Sequence, residues 1–123
     1  MNRNWIAIGA LCGALAVMAG AFGAHGLAER LDARSLGLWE TAARYLMYSA
    51  LAQLAVGLLV RQGVSRADGA GWCFLVGGVL FSGSVFALAL GGPRIVGAVT
   101  PLGGLLLIGG FLALGWVALR AET

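Results

Sequence analysis

The chain has 123 residues, of which 60% are apolar and 11% charged, and its mean hydropathy is +0.92. Soluble globular domains carry roughly 25% charged residues, so composition excludes that class and places the chain in a membrane. The net charge of +3 comes from arginine alone, with no lysine and no basic run of the kind that grips nucleic acid; the arginines read as anchors to lipid headgroups.

Four apolar runs follow one another, at residues 5–24, 42–60, 71–90 and 95–119. At about 1.5 Å per residue, each is long enough to cross a hydrocarbon core of roughly 30 Å as a helix. None has the alternation of an outer-membrane strand. The expectation is an all-α, integral membrane four-helix bundle with short loops, in a single transmembrane domain over residues 1–123. The helices are expected at about 5–27, 37–61, 67–91 and 95–120.

The first run follows Arg3 and ends in small residues, as a secretory signal does, but it has the length of a full span and is read as a membrane helix. Gly9, Gly13 and Gly20 give it the small-xxx-small spacing that lets helices approach closely in lipid. It closes on the stretch GAFGAHG, residues 20–26, which holds the chain's one histidine, His25.

The link that follows mixes Glu29, Arg30, Asp32 and Arg34 with leucines, which suits a segment lying in the interface. Ser35 is the expected N-cap of the second helix, with Trp39 at headgroup level and Glu40 in an early turn. At 100° per residue, Thr41, Arg44, Tyr45, Tyr48, Ser49 and Gln53 share one half of this helix. A polar stripe on a membrane helix faces protein or water. Glu40 and Arg44, four residues apart, have the spacing of a pair.

In the short second link, Ser65 and Asp68 have the spacing of a capping box, which starts the third helix near Arg66. That helix carries Ser82, Ser84 and a further small-residue face through Gly83 and Gly91. Gly91, Gly92 and Pro93 then break the chain. Thr100 with Pro101 resembles a helix start, and two readings stay open: a helix from about Ile95 kinked at Pro101, or an irregular stretch followed by a helix from Pro101. Cys12 and Cys73 read as packing residues, neither disulfide-bonded nor metal-binding.

If the helices alternate in direction, the N-terminus, the second link and the C-terminus share one side, side A; the first link and the Gly91–Gly92–Pro93 turn share the other, side B. His25, Glu40, Thr41, Arg44, Tyr45, Tyr48, Ser49, Ser82, Ser84 and Thr100 then all fall in the half nearer side B. This polar cluster is the candidate binding site. Within it, His25 is either an interfacial anchor bonded to Glu40 or a backbone carbonyl, or a proton-sensitive or headgroup-binding group. With one histidine and no adjacent cysteine, no metal and no cofactor are expected.

The stretches at residues 20–26, 39–45, 81–84 and 97–104, which read GAFGAHG, WETAARY, FSGS and GAVTPLGG, together closely resemble the domain of unknown function 423 family. These are small four-span proteins related to mitochondrial transmembrane protein 256. The resemblance runs through all four helices in order and implies a bacterial inner-membrane protein of uncharacterised function; it supplies no reaction. The chain departs from the family pattern, in which a histidine is usual where Ser49 stands, a glutamine is common where Leu46 stands, and an aliphatic residue is usual where Gln53 stands.

No serine or cysteine lies beside a positioned base, so no enzyme is expected. The favoured function is an accessory, structural or lipid-binding membrane subunit whose partners are the bilayer and a homo-oligomer or larger complex. The alternative is an oligomeric small channel or transporter, for an anion. Arg3, Arg61, Arg66 and Arg120 on side A balance Arg30, Arg34, Arg44 and Arg94 on side B, which gives the positive-inside rule nothing to act on. The orientation is read with both termini in the cytoplasm.

Overall fold

The computed structural model describes residues 4–121; Arg3, one of the side A anchors, lies outside them. Among the described residues there are four α-helices and no strand: α1 (Trp5–His25), α2 (Ala33–Arg61), α3 (Asp68–Ala89) and α4 (Thr100–Ala121). All four are long and apolar enough to cross a membrane. The chain is an all-α, four-helix membrane bundle with short loops.

Local chemistry sets the helix ends. The Asn4 side chain accepts from the Ala7 N–H at 3.0 Å and starts α1, and Gly26 closes it with its N–H on the Phe22 carbonyl. α2 begins earlier than its apolar run suggests, because Asp32 is the cap and not Ser35. Asp32 holds extended backbone and accepts from the Ser35 N–H at 2.8 Å. That backbone hydrogen bond, with help from the Ser35 side chain, holds the Asp32 carboxyl below the usual carboxylate range.

The expected Ser65–Asp68 capping box does not form. Ser65–Ala67 is a 3-10 turn running into α3, and neither element has a side-chain cap. The Asp68 carboxylate instead accepts from Trp5 Nε1 at 2.8 Å, joining the starts of α1 and α3 on side A. Residues Arg94–Ala98 form a second 3-10 turn, neither a continuation of α4 nor irregular, and α4 starts at Thr100. Pro101 sits in its first turn, where the missing proline N–H breaks no helical bond.

α1 packs on α2, α2 on α3 and α3 on α4, each pair antiparallel across a short link, while α1 and α4 make no comparable interface. The two central helices are accordingly more buried than the outer two, and the seam between α1 and α4 is open. Trp5, Phe74 and Val56 are fully buried at the heart of the core, with Ala52, Ala67, Ala70 and Leu107 around them.

Glycines make each seam tight. A Cβ on Gly9 would lie 2.8 Å from the Ala50 carbonyl oxygen, one on Gly78 would collide with Ser49, and one on Gly103 with the Phe81 backbone. Of the other glycines expected to pack helices, Gly13 leaves room for an ordinary contact with Ala50, and Gly20 and Gly83 face open space. Gly91 lies in the turn after α3 at φ 89°, a conformation that favours glycine.

Candidate functional site

From Arg61 back to Glu40, α2 rises about 32 Å at roughly 1.5 Å per residue, close to the roughly 30 Å of a hydrocarbon core. With Arg61 at the headgroups of side A, Glu40 reaches those of side B and Arg44 lies one turn deeper. Trp39, just outside, is not a free headgroup anchor. Its Nε1 donates to the Ala19 carbonyl at 2.7 Å, and its ring meets Phe86 at 4.5 Å and Phe22 at 6.1 Å. This clamp, made possible by the missing side chain at Gly23, fixes the height of α2 against α1 and α3.

The ten residues expected to cluster in the half nearer side B separate into distinct places. Glu40 and Arg44 lie on the α1 side of α2, while Thr41, which does not line that groove, sits beside Arg44 toward the tyrosines. Both charged residues are exposed, and no ion pair joins them among the described residues; Arg44 donates to Thr41 Oγ1 at 3.3 Å. Glu40 and Arg44 line a surface groove of about 330 Å³ with Ala43 and Met47 of α2 and Ala16 and Gly20 of α1. His25 is exposed at the end of α1, and among the described residues it bonds neither Glu40 nor a carbonyl.

Tyr45 and Tyr48 face elsewhere. Their rings meet edge to face at 5.1 Å, and Tyr45 lies 4.7 Å from Phe81. Together with Phe81 of α3 and Gly104, Leu107, Ile108 and Phe111 of α4 they line an almost wholly apolar pocket of about 270 Å³. Both tyrosines are well exposed, at 38% and 46%.

Ser49 lies in the core. Its hydroxyl donates to the Phe74 carbonyl at 3.0 Å and accepts from Gln53 Nε2 at 2.9 Å. Gln53, fully buried, also touches the Cys12 sulfur, at 3.8 Å from Nε2 and 4.0 Å from Oε1. This Ser49–Gln53–Cys12 chain joins α1, α2 and α3. Gln53 lies on the expected polar stripe but outside the expected site, and Cys12 does more than pack; a glutamine one turn from a serine on a membrane helix is the sequence signal for such a bond.

Ser84 donates to the Phe81 carbonyl at 2.9 Å, so the contact between its oxygen and that of Thr100 uses the Thr100 proton, pinning the start of α4 to α3. Ser82 is buried with no hydrogen-bond partner. Its position, one turn from both the Gly78–Ser49 and the Phe86–Trp39 contacts, sets it against α2.

Chemically, the interior offers hydrogen bonds that are closed except at Ser82, and the outside offers an acid and a base that form no ion pair with each other. The comparisons with known proteins agree with the membrane fold. A family model described as "Protein of unknown function (DUF423)" matches residues 19–104. A UPF0382 membrane protein of Staphylococcus epidermidis is 46% identical over 98% of this chain and 95% of its own length. A second, of Staphylococcus haemolyticus, is 44% identical over 91% of this chain and 92% of its own. The UPF0382 membrane protein YwdK of Bacillus subtilis is 42% identical over 86% and 88%. No solved structure matches. None of these names indicates an enzymatic activity. The chain belongs to the DUF423 family of membrane proteins of unknown function.

Proposed function

We propose that this member of the DUF423 family is a small accessory or structural protein of the bacterial inner membrane, without an enzymatic role, that holds a lipid headgroup in its side B half. The observation that carries the reading is the contrast between inside and outside. Within the bundle, Ser49 and Gln53 bond to each other and to their neighbours, and Trp5, Phe74 and Val56 are fully buried in the apolar core. Outside, Glu40 and Arg44 line a groove open to lipid. Charge facing lipid is costly unless it is compensated, and a headgroup supplies that compensation. The open α1–α4 seam is where a second copy or a larger complex would pack, and the favoured orientation has both termini in the cytoplasm.

An oligomeric channel or transporter for an anion is the second reading, favoured by the balance in the sequence of Arg30, Arg34, Arg44 and Arg94 against Arg3, Arg61, Arg66 and Arg120. Proteoliposomes loaded with chloride separate the two. The accessory reading expects efflux no faster than from protein-free vesicles; protein-dependent efflux abolished by Arg44→Gln would replace it with transport.

A further inference from the structure

Glu40 and Arg44 stand one helical turn apart, the spacing at which an acid and a base on one helix ordinarily pair, yet both are exposed and unpaired while lining the same groove. Arg44 uses one donor on Thr41, and a guanidinium has five. The groove changes character with depth. Glu40 is outermost, Arg44 lies about 6 Å deeper by helical rise, and Met47 and Ala16 follow below them. Gly20, where an added Cβ would meet nothing within 4 Å, leaves the wall open beside the charged pair.

A phospholipid has the same order: an apolar chain deepest, the phosphate above it, and the headgroup's terminal group outermost. We infer that the α1–α2 groove binds a phospholipid with a primary-amine headgroup, the phosphate on Arg44 and the ammonium on Glu40. This rests on the lipid-binding reading above and adds the class of headgroup. A phosphate accepts charge-assisted hydrogen bonds from guanidinium, and a carboxylate accepts them from a primary ammonium. A trimethylated choline has no N–H to donate. A glycerol headgroup ends in uncharged hydroxyls and would leave the Glu40 carboxylate without a counter-charge.

The test is a lipid titration of the delipidated full-length protein in mild detergent, with phosphatidylethanolamine, phosphatidylcholine and phosphatidylglycerol, read as bound lipid by native mass spectrometry. The expected preference for the ethanolamine lipid over each of the others is about tenfold, the scale of one charge-assisted hydrogen bond. Glu40→Gln should shrink that preference to about twofold while the protein still binds phosphate-bearing lipid, and Arg44→Gln should weaken all three lipids by about tenfold. Because the preference is a ratio within one preparation, partial misfolding of a variant cannot imitate its loss. Equal binding of choline and ethanolamine lipids, tighter binding of the glycerol lipid, or a preference that survives Glu40→Gln would each overturn the inference while leaving lipid binding intact. Failure of the wild-type protein to bind any of the three would overturn the lipid-binding reading itself.

Discussion

At the scale of single residues, the buried polar chain is where a small change has the clearest consequence. Ser49 and Gln53 are 1% and 0% exposed and bonded to each other, and both are positions at which the chain departs from the family pattern it resembles. Removing one partner strands the other. Ser49→Ala leaves the Gln53 amide with only the weak Cys12 contacts, and the expected loss is about 1–3 kcal/mol. The double variant Ser49→Ala/Gln53→Leu removes both polar groups at nearly constant shape and should recover most of that loss. Thermal unfolding in detergent of the two singles and the double measures it; additive losses would show that the two side chains do not act as a unit. The sequence pointed to these residues only as part of a stripe. At 100° per residue, the nine steps from Arg44 to Gln53 put them about 180° apart, so a half-wheel of polar residues spans three environments: the α1 groove, the aromatic pocket beside α4, and the core.

At the scale of helices, apolar length accounts for the number of spans and the order of their links, while the start of α2 turns on which residue caps it. The expected start rested on Ser35 as the N-cap, several residues before the apolar run, whereas Asp32 draws the helix further out into the interfacial segment through the Ser35 N–H. Since that hydrogen bond holds the Asp32 pKa below its unfolded value, its stabilisation is present above the unfolded carboxylate pKa and is lost as pH falls through the lowered folded one. Asp32→Ala should therefore destabilise the protein at pH 6 and converge with wild type at pH 2, measured as the difference in unfolding temperature across that range. A constant difference would contradict the cap. The Trp5–Asp68 bond escaped the sequence because it depends on which helices meet, and spacing along one helix carries no information about that.

At the scale of the whole molecule, three antiparallel seams packed on glycine and an unclosed fourth seam describe a protein whose centre is settled and whose surfaces are not. Membrane residence and the four spans were legible because burial in lipid constrains composition along every turn. The site was legible only as a half of the bundle, since alternation of helix direction gives depth but not azimuth around the bundle. The central claim is that the α1–α2 groove at Glu40 and Arg44 is the working surface and that its ligand is a lipid. The most direct test is native mass spectrometry of gently solubilised protein, comparing wild type with Arg44→Gln and with Arg94→Gln, a change at the same membrane side but outside the groove. The account predicts phospholipid retained by wild type and Arg94→Gln and lost from Arg44→Gln. Lipid retained equally by all three, or absent from wild type, would contradict it.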